Sequence, residues 1–103
     1  MNEFSYDVTV SAGRAVVTTA GELDAHTGAD FRLALPELAE VHQDLVLDLA
    51  GLTYVDSTAL SMFLAAQKRA AAFGGRVRLR GVPPFLTRLL AVTGLNGILP
   101  VLR

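Results

Sequence analysis

Residues 44–75 read DLVLDLAGLTYVDSTALSMFLAAQKRAAAFGG, and how this stretch divides decides the architecture of the chain. DLVLDLA has the composition of a buried strand, with Asp48 as its polar interruption. GLTYVD reads as a turn. STALSMFLAAQKRAAAF then sets Leu60, Phe63, Leu64 and Gln67 at helical spacing, and Gly74-Gly75 stops the helix. A strand followed by a helix calls for a further strand lying parallel to the first, reached by a right-handed crossover.

The flanking segments extend the same alternation. On the C-terminal side, RVRLRG reads as the next strand and Pro83-Pro84 opens a helix over PFLTRLLAVTG, with Phe85, Leu89 and Leu90 on its inner face. ILPVL closes the chain as a short strand, placed at a sheet edge by Pro100. On the N-terminal side, FSYDVTV and AVVTTA flank SAGR and form a β-hairpin. GELDAHTGADFRLALPELAEVHQ follows, with Phe31, Leu35 and Leu38 near helical spacing. Pro36 interrupts it, predicting either a kink or a second helical segment starting there. The expected class is α/β, in the order β-β-α-β-α-β-α-β, with a mixed, mostly parallel sheet and helices packed against it. Residues 1–103 form one domain, without repeats, low-complexity tracts or linkers.

Composition narrows the function. Half the residues are apolar, yet none of the runs approaches the ~18 residues of a membrane span. MNEFSYDVTV has neither a basic lead nor an apolar signal core, so the expectation is a cytoplasmic protein. With no cysteine there is no disulfide, thiolate zinc site or thiol nucleophile. Residues 1–50 carry nine acids and two arginines, whereas 51–103 carry seven bases and one acid, Asp56. Arg76, Arg78 and Arg80 alternate and so share one strand face. Without a binding motif or interleaved aromatics, they read as a solvated face paired to the acidic half, not as a nucleic-acid surface.

The seam at YVDSTAL, residues 54–60, carries the functional question. Asp56, Ser57 and Thr58 can each cap the helix that starts there. The same geometry suits a presented hydroxyl, because a phosphate at a helix N-terminus meets unpaired N–H groups and the positive end of the dipole. Both readings stand at this point. Parallel strands bring their carboxyl ends to one edge of the sheet, where sites of open α/β sheets gather. The second strand ends into GELDAHT and the third into YVDST, so Glu22, Asp24 and Ser57 should lie along that edge.

Enzymatic readings lack their motifs. Ser57, His26 and Asp24 supply triad residue types, but there is no G-x-S-x-G elbow and no oxyanion hole. His42 reads as a surface residue at a helix end. Two separated histidines without cysteine form no metal-ligand spacing. Gly74-Gly75 lacks the Gly-Lys-Ser/Thr ending of a phosphate loop. No cofactor and no metal are expected.

GELDAHT, then YVDSTAL before a helix, then GGRVRLRGVPPFLTRLLAVTGL, resembles the STAS domain of bacterial anti-sigma factor antagonists. The resemblance runs from about residue 5 to the C-terminus in the same element order. It implies a STAS-like fold and a regulatory protein that is not an enzyme. It further implies that Ser57 is phosphorylated by the anti-sigma factor, a serine kinase of the histidine-kinase-like ATPase fold. The unphosphorylated form would bind that partner and release the sigma factor, and a phosphatase acting on phospho-Ser57 would reset the cycle. Asp56 matches the acid beside the phosphoserine and Asp24 the acid of the neighbouring loop. The implied partner surface comprises Glu22, Asp24, Asp56, Ser57, Thr58 and Ala59, with no direct nucleic-acid or membrane contact and room for a weak homodimer.

This chain departs from the family at Ala59 and Ser61, where glycine is frequent, and a methyl at Ala59 narrows a partner's approach. Many members also continue into a C-terminal helix, whereas this sequence stops at Arg103, which would leave sheet surface uncovered. The alternative reading keeps the fold but drops the switch: a STAS subunit of a lipid-trafficking transporter or a stress-signalling scaffold.

Overall fold

The computed structural model describes residues 3–102, so Met1, Asn2 and Arg103 lie outside the described residues. Its strands are β1 (Ser5–Ser11), β2 (Arg14–Leu23), β3 (Asp44–Val55) and β4 (Arg76–Arg80). Its helices are α1 (Ala29–Val41), α2 (Ser57–Ala72) and α3 (Pro84–Thr93), followed by a 3-10 turn at Leu95–Gly97. The sheet order is β1-β2-β3-β4. β1 and β2 pair antiparallel, while β2–β3 and β3–β4 are parallel. The hairpin closes through Ala12 and Gly13, both at positive φ (51° and 77°). A two-residue turn with two positive φ values matches the right-handed twist of the strands it joins.

Strand periodicity sorts the sheet's two faces. Ala15, Val17, Leu45, Leu47, Leu49, Val77 and Leu79 point to one side and form a single buried core with Phe31 and Leu35 of α1 and Leu60 and Phe63 of α2. Burying each large side chain contributes roughly 1.5–3 kcal/mol. Thr19 is the one buried polar residue among those described, and its hydroxyl donates to the Asp48 carbonyl at 2.8 Å. Gln67 ties α2 to β4 and to the segment after the 3-10 turn: its Oε1 accepts from the Val77 N–H at 2.9 Å and its Nε2 donates to the Ile98 carbonyl at 3.1 Å. That explains a polar residue at a position the helical spacing turns inward.

The other face carries the charge ladder expected from the alternating arginines. Asp44 receives Arg78 Nη2 at 2.8 Å and Arg14 Nε at 3.1 Å, with Arg76 Nε at 3.5 Å. Asp48 receives Arg80 Nη2 at 2.9 Å. Fully buried Val46 lies beneath this layer, outside the main core. Burial pushes the Asp44 carboxyl upward, but the hydrogen bonds and charges of Arg78 and Arg14 outweigh it and hold the group below its ordinary value. A carboxylate depressed in the folded state stabilises above its unfolded pKa and loses that contribution as pH falls through the folded value. Asp44→Asn should therefore cost about 2 kcal/mol at neutral pH, the scale of a charged hydrogen bond. The deficit against wild type should shrink below about pH 4. Urea midpoints at both pH values check this, and an equal deficit at each would contradict it.

Four local readings need correction. GLTYVD is not a turn: β3 continues through it to Val55. Gly51 sits where the β2–β3 register shifts, between the Thr18 and Ala20 pairings. A Cβ there would lie 2.6 Å from the Thr19 carbonyl oxygen, so this glycine marks a close backbone approach. α1 runs unbroken from Ala29 to Val41 with Pro36 inside it, so no second helical segment starts there. In α3 the buried positions are Leu86 and Leu90, whereas Phe85 is 43% exposed. The closing strand reduces to one parallel bridge between Val101 and Leu79 at the edge of β4. There the Leu79 N–H donates to the Pro100 carbonyl at 2.8 Å and the Leu102 N–H to the Leu79 carbonyl at 2.7 Å. Pro100, lacking an N–H, contributes only as an acceptor.

Candidate functional site

The parallel register carries β2 and β3 to the same edge. Glu22 lies opposite Tyr54 and Leu23 opposite Val55, so Asp24 and Asp56 follow directly from neighbouring strands. The loop after β2 is then folded by one carboxylate. Asp24 Oδ1 accepts from the backbone N–H groups of Thr27 at 2.8 Å and His26 at 2.9 Å. The Thr27 hydroxyl accepts from the Asp24 N–H at 3.0 Å and donates to the Glu22 carbonyl at 2.7 Å. The Thr27 N–H bond is the largest influence on the Asp24 carboxyl and lowers its pKa, so the group is held ionised. Gly28 brings this loop onto α2: a Cβ there would meet Leu23 Cδ1 at 2.5 Å and Met62 Cε at 3.1 Å.

Across the seam, the three capping candidates separate. Asp56 is the N-cap, extended at φ −105° and ψ −176°, and its Oδ1 accepts from the Ala59 N–H at 2.9 Å. Ser57 is the first residue of α2 and is exposed. Its hydroxyl makes no hydrogen bond among the described residues, although its carbonyl accepts from the Ser61 hydroxyl at 3.1 Å. The capping reading thus belongs to Asp56, and Ser57 Oγ is left facing solvent. Thr58 is half-buried. At the first turn of a helix the leading N–H groups have no intrahelical acceptor, so Ser57 and Thr58 offer unpaired donors beside that hydroxyl.

Ala59 is the member of the sequence-derived set that the surface loses. It is 0% exposed and belongs to the core, so its methyl does not narrow a partner's approach. Glu22, Asp24, Asp56, Ser57 and Thr58 are gathered at the sheet edge as topology required, all exposed or half-exposed. Thr27 and Gly28 hold the Asp24 loop in place and were not singled out. The Asp-x-x-Thr spacing of DAHT, a side chain–backbone turn pattern, was the available signal. His26 is exposed and shares no hydrogen bond with Ser57, and His42 ends α1 through its N–H to the Leu38 carbonyl at 3.0 Å. Among the described residues there is no group of three or more His, Cys, Asp or Glu able to hold a metal ion. Among them too, no helix is long and apolar enough to cross a membrane.

Residues 7–102 match the family described as "Mlab, STAS domain". The anti-sigma-B factor antagonist of Bacillus subtilis is 34% identical over 95 residues, covering 92% of this chain and 87% of the relative. This chain belongs to the STAS-domain family of anti-sigma factor antagonists. The crystal structure of an anti-sigma factor antagonist from Mycobacterium paratuberculosis superposes with a TM-score of 0.84 at 24% identity, over 96% of this chain and 85% of that one. The Bacillus cell fate determinant SpoIIAA in its phosphorylated form gives a TM-score of 0.75 at 19% identity, over 96% and 92% of the two chains. These two likenesses establish the STAS fold: a mixed sheet of one antiparallel and otherwise parallel pairs with its helices.

Proposed function

We propose that this STAS domain acts in the cytoplasm as an anti-sigma factor antagonist controlled by phosphorylation of Ser57. In the unphosphorylated state it binds an anti-sigma factor that is also a serine kinase, and the sigma factor is released. The kinase transfers the γ-phosphoryl group of ATP to Ser57 Oγ as the hydroxyl proton leaves and ADP departs. A phosphatase hydrolyses phospho-Ser57 and restores the binding form.

One observation carries the reading: Asp56 takes the cap, so the Ser57 hydroxyl is exposed and without a hydrogen bond among the described residues. An attacking oxygen already donating to the backbone would have to give up that bond first. Placement at the first turn of α2 adds donors and a positive dipole end for the phosphate product. Glu22, Asp24, Asp56 and Thr58 lie at the same sheet edge as Ser57, on the surface that the partner covers. The names of the curated relatives favour this reading over a transporter subunit or scaffold.

The test is phosphoryl transfer from ATP by candidate anti-sigma kinases, with the modified residue mapped by mass spectrometry. Ser57→Ala should abolish incorporation, and Thr58→Ala should keep most of it. Labelling that survives Ser57→Ala and disappears in Thr58→Ala would move the site by one residue and overturn the assignment.

A further inference from the structure

The two edges of the sheet are treated differently. At the β4 edge, the Pro100–Leu102 segment lies alongside Leu79 and occupies its backbone groups. At the other edge, β1 pairs with β2 on one side only. Its seven residues, SYDVTVS, contain no proline and no lysine, Asp7 is their one charge, and their register with β2 is unbroken by a bulge. Edge strands are ordinarily guarded by such devices because their unpaired N–H and C=O groups invite another strand. The β1 edge is also apolar on its helix side. Val8 is 38% and Val10 58% exposed, and Val41 at the end of α1 is 74% exposed. Tyr6, Val8, Ala34, Leu38 and Val41 line one groove between β1 and α1, together with Glu37 and His42.

We propose that β1 is a homodimerisation edge, pairing antiparallel with β1 of a second copy about a two-fold axis at Val8. The sequence of the strand selects both the occupant and the register. With the axis at Val8, Val8 faces its own copy and Tyr6 faces Val10, all on the helix side. Ser5 then faces Ser11 and Asp7 faces Thr9 on the other side. All seven residues find partners of matching polarity, and no like charges oppose each other. An axis at Asp7 would set two carboxylates face to face. An axis between residues would place apolar side chains opposite polar ones, because strand faces alternate with period two. A second copy of this chain is therefore the partner that β1 fits, as an isologous interface requires.

The result is a continuous eight-stranded sheet whose two grooves meet across the axis and cover Val8, Val10 and Val41. One strand pair and one helix stripe fall at or below the ~1,200 Å² of a standard stable interface, so the dimer is weak and forms at micromolar concentrations or above. β3 and α2 lie two strands away from the β1 edge, which leaves Ser57 uncovered in both copies. The inference stands independently of the phosphorylation reading.

Sedimentation equilibrium of the unmodified protein over about three decades of concentration should show a monomer–dimer equilibrium. Val8→Lys sets two ammonium groups against each other at the axis, and Val10→Lys places a charge opposite Tyr6. Each should weaken dimerisation at least tenfold, while Val101→Lys at the opposite edge leaves it unchanged. Hydrogen exchange on the wild type gives a second readout that does not depend on variants folding: β1 amides should gain protection as concentration rises. A protein that stays monomeric throughout, or a dimer that persists in folded Val8→Lys and Val10→Lys, would overturn the proposal. So would concentration-dependent protection confined to elements other than β1.

Discussion

Phosphorylated at Ser57, the protein should bind its anti-sigma partner about a hundredfold more weakly, a change of about 3 kcal/mol, with no rearrangement of the fold. A phosphoserine adds roughly −1.5 to −2 charges to an edge that already holds Glu22, Asp24 and Asp56. Within the domain that charge is tolerable. The unpaired N–H groups of Ser57 and Thr58 and the helix dipole offset it by about 0.3–1 kcal/mol for an exposed anion. The Asp56 cap on Ala59 does not involve the Ser57 hydroxyl, so nothing in the local hydrogen bonding must break. The partner has no such latitude, because its docked surface must now accept a bulky dianion beside existing carboxylates. Mismatched charge across an interface costs several kcal/mol. Ser57→Asp carries about half the added charge and lacks the phosphate's three oxygens, so it should reproduce only part of the loss. Calorimetry of both forms against the partner measures the change, and amide shifts report where it is felt. Equal affinities would refute the switch. Shifts extending into β1 and β4, beyond residues 22–28 and 54–61, would refute its locality.

Ala59→Trp should lose about 3 kcal/mol or more of folding stability, the upper range for overpacking a filled core. Ala59 is fully buried in the core that also holds Leu60, Met62 and Phe63, and its N–H is the one Asp56 caps. An indole cannot enter that space without displacing the first turn of α2 and the cap with it. Ala59→Gly removes only a methyl and helix propensity, so it should cost about 1 kcal/mol. Urea unfolding of both variants separates the two cases. A tryptophan variant within about 0.5 kcal/mol of wild type, the range of ordinary surface substitutions, would contradict the burial. Loss of partner binding in Ala59→Trp therefore reports on folding and gives no map of the docking face.

The order of the first seven elements, the hairpin at SAGR and the shared face of Arg76, Arg78 and Arg80 were all legible in the sequence. Each depends on a period of two or 3.6 or on a local turn signal, which the residues of a single element or hairpin carry by themselves. The gathering of Glu22, Asp24 and Ser57 at one edge was also legible, because parallel strands leave no other arrangement. Tertiary structure alone decided the rest. Asp56, Ser57 and Thr58 carry the same capping chemistry, and only the backbone path out of β3 determines which side chain turns back to the Ala59 N–H. Gly51 gives the same signal for a turn and for a close strand approach, and the neighbouring Thr19 carbonyl selects the second. Phe85 and Leu86 are equally apolar. Which of them is buried depends on the angle at which α3 meets the rest of the fold, and residue spacing within the helix does not contain that angle. Local periodicity thus determined the elements and their order, while the burial of Ala59 and the exposure of Ser57 arose only once α2 lay against the sheet.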